Sequence, residues 1–141
     1  MDVLVDADLA GSRLKRLLKT ATCSRLHLAM VLVGRLKLPA DQVLDLHWSQ
    51  VDLDTHCLHM DDGQHALPVL VADLFGWHAA RQRLDARRSL RWPGTGRVFV
   101  NQYGVPITSA QADAVVRHFC RQAELTPVPL AGLRHPIWVE A

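Results

Sequence analysis

One short alternating segment, set among helix-forming stretches, most narrows what this chain can become. After Val51, the residues Leu53, Thr55, Cys57 and His59 alternate with Asp52, Asp54, His56 and Leu58, the period of an extended strand. Asp62-Gly63 follows, and an Asp-Gly pair between apolar runs predicts a two-residue hairpin loop. That loop would set Met60 opposite His65 and His59 opposite Ala66. The return strand, residues 64–70, contains Pro68, which cannot donate a ladder hydrogen bond and so marks an edge.

The remaining segments read as helices. Asp8 or Ser12 is placed to cap a helix ending near Thr20, with Leu14, Leu17 and Leu18 on one face. Ser24 is placed to cap a second over residues 25–35, ended by Gly34. Pro39 suits the first turn of a third over residues 39–46, with Val43, Leu44 and Leu46 facing a core. A long helix is predicted over residues 71–89, with Leu74, Phe75, Trp77, His78 and Leu84 as its apolar side. Arg83, Arg87 and Arg91 would share a face if that helix reached far enough. The Pro93-Gly94-Thr95-Gly96 break precedes a buried extended piece at residues 97–100 and a turn at residues 101–104. Thr108 or Ser109 caps a last helix through about Glu124, which packs Ala112, Val115, Val116, Phe119 and Cys120. Pro127 and Pro129 then stiffen a linker to a short final segment, residues 131–141. The fold class is α+β, mainly α: one helical domain with a small antiparallel sheet. Trp48, Trp77 and Trp138 are expected in the core or at its rim, and Trp92, beside Pro93, in solvent.

Charge and location add limits. The net charge of +2 does not announce a polyanion partner, but its distribution is uneven. Arg13, Lys15, Arg16, Lys19, Arg25, Arg35 and Lys37 follow one another with no acid between Ala10 and Leu38, and a local basic stretch can hold phosphate. The arginine series from Arg81 to Arg97 can track a nucleic-acid backbone or simply solvate a helix. The acidic N-terminus lacks a basic leader region, and the longest apolar run, residues 26–33, is far too short to span a membrane. Cys23, Cys57 and Cys120 lack paired spacing and read as reduced thiols, so a cytoplasmic protein with no membrane partner is expected. His56, Cys57, His59 and His65 tempt a metal reading, but strand alternation points His56 and His59 to opposite faces. No metal and no cofactor are expected.

The order of these pieces resembles a known family. The stretch from Val43 to Asp54, Val-Leu-Asp-Leu-His-Trp-Ser-Gln-Val-Asp-Leu-Asp, resembles the E-L-L-x-L-x-W-S-D-I-D pattern of the tyrosine recombinases, or phage integrases. Leu67-Pro68-Val69 resembles the family's V-P-L. Arg97-Val98-Phe99-Val100 followed by Gly104-Val105-Pro106-Ile107-Thr108 resembles its V-F-x-x…G-x-P segment, and Leu133-Arg134-His135 the core of its H-x-L-R-H motif. The likeness covers about residues 24–138 and implies a degenerate, truncated catalytic domain of that fold, occupying residues 1–141 without the N-terminal core-binding domain.

In that family a tyrosine attacks the scissile phosphate and forms a 3′-phosphotyrosine. Two arginines and a His or Trp hold the phosphate oxygens, and a hairpin lysine protonates the leaving oxygen. Here Arg134 matches the second arginine and His135 follows it. The first arginine's place falls on Pro39, its neighbouring Glu on Gln42, and the motif's first His on Ala131. Arg35 and Lys37 lie just upstream and would compensate for Pro39 only in a rearranged loop. The hairpin lysine's place, near Met60 to Asp62, is Met-Asp-Asp. The chain stops seven residues after Arg134, before the family's tyrosine, and the lone Tyr103 precedes the motif in a turn.

The resemblance therefore implies a DNA-binding protein that does not cleave strands alone, since a catalytic unit stripped of members keeps little of its rate. Arg134, His135, Arg35, Lys37, Arg87, Arg88 and Arg97 are the expected DNA contacts, with weak affinity for double-stranded DNA. The alternatives are a subunit completed by another recombinase subunit's tyrosine, and an interaction module that kept the fold without DNA. Whichever reading holds, truncation should expose Leu133, Ile137 and Trp138 or leave that end frayed.

Overall fold

The computed structural model describes residues 12–134 and divides the chain into two compact units. Met1–Val43 and Thr108–Ala141 form the first, and Leu44–Ile107 the second. The described residues are mainly helical with one small antiparallel sheet, as the sequence predicts, although the sheet has three strands rather than the two of a single hairpin.

In the first unit, helix α1 covers residues 12–20 with Leu17 and Leu18 buried. The chain then turns through residues 21–26, where Ser24 Oγ accepts the Leu26 N–H at 3.1 Å. Helix α2, His27–Gly34, therefore starts two residues later than the position expected for it. Every residue from Leu28 to Gly34 is buried, as befits a helix apolar on all sides. Gly34 is where the Leu14 side chain meets α2: a Cβ there would lie 2.7 Å from Leu14 Cδ1. Helix α3, Ala40–Leu44, is shorter than expected, although Val43, Leu44 and Leu46 are all buried.

Helix α5, Ser109–Gln122, has the anticipated cap. Thr108 Oγ1 accepts the Gln111 N–H at 3.2 Å, and Gln111 Oε1 accepts the Thr108 N–H at 3.0 Å. Its buried line is Ala112, Val116 and Cys120. Burial pushes the Cys120 thiol's pKa up and keeps it protonated. After α5 the Arg16 guanidinium donates to the Ala123 carbonyl. A 3-10 turn, Leu130–Arg134, then packs on α2 and α5. Asp113 Oδ1 accepts the Leu130 N–H at 3.0 Å. Leu133 is buried, against the expectation that it would be exposed, because this turn folds it inward beside Leu130. Ile137 and Trp138 lie outside the described residues.

The second unit holds the sheet. Strand β1 is Val51–Asp52, β2 is Cys57–Met60 and β3 is Gly63–Ala66, in the order β1-β2-β3. The single predicted strand from Val51 is thus two. Asp52 Oδ1 accepts the N–H groups of Asp54 and Thr55 at 3.0 and 3.1 Å, an Asx turn that reverses the chain before β2. Those bonds, from Thr55 above all, hold the Asp52 carboxyl below its usual range.

The hairpin loop is also displaced. Met60 pairs with Gly63 and His59 with Gln64, so Asp61-Asp62 forms the turn, and the expected pairings of Met60 with His65 and His59 with Ala66 do not occur. Gly63 has φ of +126°, a backbone state that side chains rarely adopt, which places the glycine just after the turn rather than within it. The two-residue shift preserves faces, with Leu58 and Met60 buried. The return strand ends at Ala66 rather than at residue 70, so Pro68 lies beyond it, just before the next helix, and does not itself account for the edge position of β3.

Helix α4, Val69–Arg88, buries Val71, Ala72 and Phe75. Trp77 and Leu84, expected on the apolar side, are 75% and 50% exposed, since the inward face follows Val71, Phe75, His78 and Gln82 instead. Trp92, expected in solvent, is half-buried, and its ring lies against Gly104, where an added Cβ would come within 2.8 Å of it. The helix ends at Arg88, so Arg91 does not continue the face of Arg83 and Arg87.

Residues 98–100 are buried yet bordered only by isolated bridges. Side chains complete their hydrogen bonding. Trp48 Nε1 donates to Gln82 Oε1 at 2.7 Å, and Gln82 Nε2 to the Arg97 and Val98 carbonyls at 3.1 and 3.2 Å. His78 Nε2 donates to the Val98 carbonyl at 2.6 Å. Leu46 accepts the Val98 N–H at 3.0 Å, and Phe99 accepts the Ile107 N–H at 3.2 Å.

Two predictions follow from this packing. Gln82→Leu removes three hydrogen bonds at once and should lower stability by about 1–3 kcal/mol in urea unfolding. His27 is the second case. Its Nδ1 is buried with no partner among the described residues. Burial is the main cause lowering its pKa from the usual value of about 6.5, with the Arg35 charge a minor one and the Ala21 and Leu18 carbonyls opposing. The unfolded chain then binds the proton more readily than the folded one. This contribution is full above about pH 6.5 and is lost as pH falls through the lowered folded value. Unfolding free energies of the wild type and His27→Gln should converge, or cross, as pH is lowered over that window.

Candidate nucleic-acid interface

The residues anticipated for DNA contact separate between the two units. Arg35, Lys37 and Arg134 belong to the first, and Arg87, Arg88 and Arg97 to the second. His135 lies outside the described residues.

In the first unit, the end of α2 determines the geometry. Val31 O accepts the N–H groups of Arg35 at 2.9 Å and Leu36 at 3.4 Å, and Leu32 O accepts that of Leu38 at 3.2 Å. Between them Lys37 takes a left-handed φ of +59°. Leu38 is buried, while Lys37 stays exposed. The Lys37 carbonyl accepts Arg134 Nε–H at 2.8 Å. Arg134 is exposed, and its Nη atoms make no hydrogen bond among the described residues. The guanidinium is thus oriented through one of its five donors, while its forked end can take another acceptor. Arg35, also exposed, is two residues from that carbonyl along the chain. The loop after α2 thus brings the main-chain carbonyl of Lys37 to Arg134, while the Pro39 carbonyl, just before α3, accepts the Val43 N–H at 3.0 Å.

In the second unit, Arg87 and Arg88 are exposed in the last turn of α4. Arg97 differs, because its Nη1 is 3.0 Å from Asp45 Oδ1 in an ion pair. That pairing spans 52 positions and no sequence signal announces it. The hairpin turn carries Asp61 and Asp62, and His65 Nε2 donates to Asp62 Oδ1 at 2.7 Å. That hydrogen bond holds the Asp62 carboxyl below its usual range. Tyr103 is 62% exposed in a turn whose Asn101 Oδ1 accepts its N–H at 2.8 Å. Among the described residues no group of three or more His, Cys, Asp or Glu is placed to hold a metal ion. No helix among them is long and apolar enough to cross a membrane.

No protein-family model and no curated protein matches the chain. A solved structure does: the crystal structure of XerA recombinase superposes with a TM-score of 0.71 at 19% sequence identity, over 88% of this chain and 44% of that one. The fold is recombinase-like. The chain spans less than half the length of that recombinase, and at this identity the likeness speaks to architecture alone.

Lys37 gives a test that separates backbone from charge. Glycine accepts its left-handed φ without the steric cost of about 1–2 kcal/mol that a side chain carries. Lys37→Gly should leave the unfolding midpoint unchanged or raise it, while removing an exposed cation beside Arg134. Thermal unfolding and polyanion binding, measured on the same sample, should move independently.

Proposed function

We propose that this chain binds the phosphate backbone of double-stranded DNA, with Arg134 as the central contact and Lys37 and Arg35 beside it, and that it does not cleave strands on its own. The hydrogen bond from Arg134 Nε to the Lys37 carbonyl carries the reading. It holds an exposed guanidinium by Nε alone, an arrangement suited to a phosphate, within a recombinase-like fold. His135 extends the same segment, and Arg87 and Arg88 supply further backbone contacts from α4. Arg97 contributes less, since Asp45 already neutralises it. As a degenerate relative of the tyrosine recombinases, a cytoplasmic protein of this kind would occupy DNA at recombination sites alongside other recombinase subunits.

The absence of cleavage rests on chemistry at the corresponding positions. The hairpin turn offers the carboxylates of Asp61 and Asp62, which cannot protonate a leaving oxygen as an ammonium does. Pro39 cannot bind phosphate through its side chain. Two acids at the hairpin also repel the backbone, which favours weak affinity.

A salt titration tests the binding. The logarithm of the association constant should fall linearly with the logarithm of salt concentration, with a slope set by the number of phosphates neutralised. Arg134→Ala should weaken binding alike across sequences and reduce that slope by about one. Binding that ignores salt, or none at low salt, overturns the DNA reading. A covalent adduct with a nicked suicide substrate overturns the non-cleaving part.

A further inference from the structure

Helix α4 carries a large apolar stripe on the side facing away from its buried residues. Leu70, Trp77 and Leu84 are 77%, 75% and 50% exposed and recur every seven residues. Each seven-residue step falls about 20° short of two full turns, so the three side chains form one slightly wrapped line. The line extends about 21 Å at 1.5 Å per residue. Leu74 and Ala80, both half-buried, flank it. Exposed large apolar residues are ordinary when scattered, but a heptad-spaced row on one helix is the pattern that packs against another helix.

We infer that this face pairs with the same face of a second copy of the chain, antiparallel, about a two-fold axis at Trp77. The stripe reads the same in both directions: Leu70 and Leu84 are each seven residues from Trp77. An antiparallel pair sets Leu70 level with the partner's Leu84 and brings the two Trp77 rings together, where indoles pack offset or edge to face. Charge selects the direction. Arg81, Arg83, Arg87 and Arg88 all lie in the C-terminal half of α4, and the exposed acid Asp73 lies in the N-terminal half. A parallel pair would stack arginines on arginines. The antiparallel pair sets each arginine-rich half beside the half that bears Asp73, and opposes the two helix dipoles. Arg81 and Asp85 already have partners within the chain, and the arrangement needs neither to be released. An isologous contact of this kind closes on itself as a dimer. One helix face is small for an interface, so the dimer is weak, dissociating in the micromolar range or above. The pairing requires no DNA, although Arg87 and Arg88 of the same helix are also among the proposed phosphate contacts.

Sedimentation equilibrium of the chain without DNA tests it. A monomer–dimer equilibrium is expected, and Trp77→Glu should weaken it at least tenfold while circular dichroism and unfolding midpoint stay unchanged, because the side chain is exposed. Direction is tested by oxidation in a Cys23→Ser background. Leu70→Cys with Leu84→Cys should yield a disulfide-linked dimer, and either change alone far less. A chain that stays monomeric up to millimolar concentration, whatever else α4 then binds, overturns the pairing. So does a Trp77→Glu chain that dimerises like the wild type, or a Leu70→Cys single variant that crosslinks as well as the double.

Discussion

A buried length of backbone without a regular sheet neighbour must find its hydrogen bonds elsewhere, and in the second unit that requirement organises the rest. Residues 98–100 are deep in the unit but touch other backbone only at isolated bridges. An unpaired buried carbonyl costs on the order of 1–3 kcal/mol, comparable to a sizeable part of a small fold's net stability. Gln82 and His78 of α4 answer it with side-chain donors, and Trp48 fixes Gln82 by donating to its carbonyl oxygen. One amide thus joins Trp48, the long helix and the extended segment. It also determines which side of α4 turns inward, and hence which side keeps Leu70, Trp77 and Leu84 in water.

The first unit solves a similar problem at a helix end. Residues leaving α2 swing through a left-handed lysine to bury Leu38, and the swing turns the Lys37 carbonyl toward Arg134. Backbone geometry, rather than an acid, therefore aims this guanidinium. A carbonyl partner orients without neutralising, and among the described residues no acid pairs with this cation. Arg97 shows the opposite arrangement, in which Asp45 both holds and neutralises the cation.

Helix positions, the Thr108 cap, the buried piece at residues 98–100 and the single small sheet were legible because each depends on residues near one another in sequence. Departures arose where side chain and backbone compete locally. Asp52 folds the chain back on itself before β2, and Gly63 follows the hairpin turn instead of filling it. Hydrophobicity alone turns the wrong face of α4 inward, because it ranks Trp77 and Leu84 above Gln82, whereas the carbonyls of residues 97 and 98 draw Gln82 inward. At the candidate site, motif likeness singles out Arg134, whereas the main-chain carbonyl that holds it comes from Lys37 at a φ of +59°, which composition and spacing do not reveal.

The way the chain threads its two units has a consequence for the order of assembly. The second unit is continuous, Leu44–Ile107, and interrupts the first, whose pieces lie on either side of it. Contacts that close the first unit, Arg16 with Ala123 and Arg134 with Lys37, span 107 and 97 positions. During synthesis the inserted unit has all its residues while α1 to α3 still await α5 and the 3-10 turn. The apolar surface of α2 stays uncovered for that interval, which makes nascent α2 the segment most in need of shielding on the ribosome. The proposed phosphate contact, which needs both Lys37 and Arg134, is among the last features of the molecule to form.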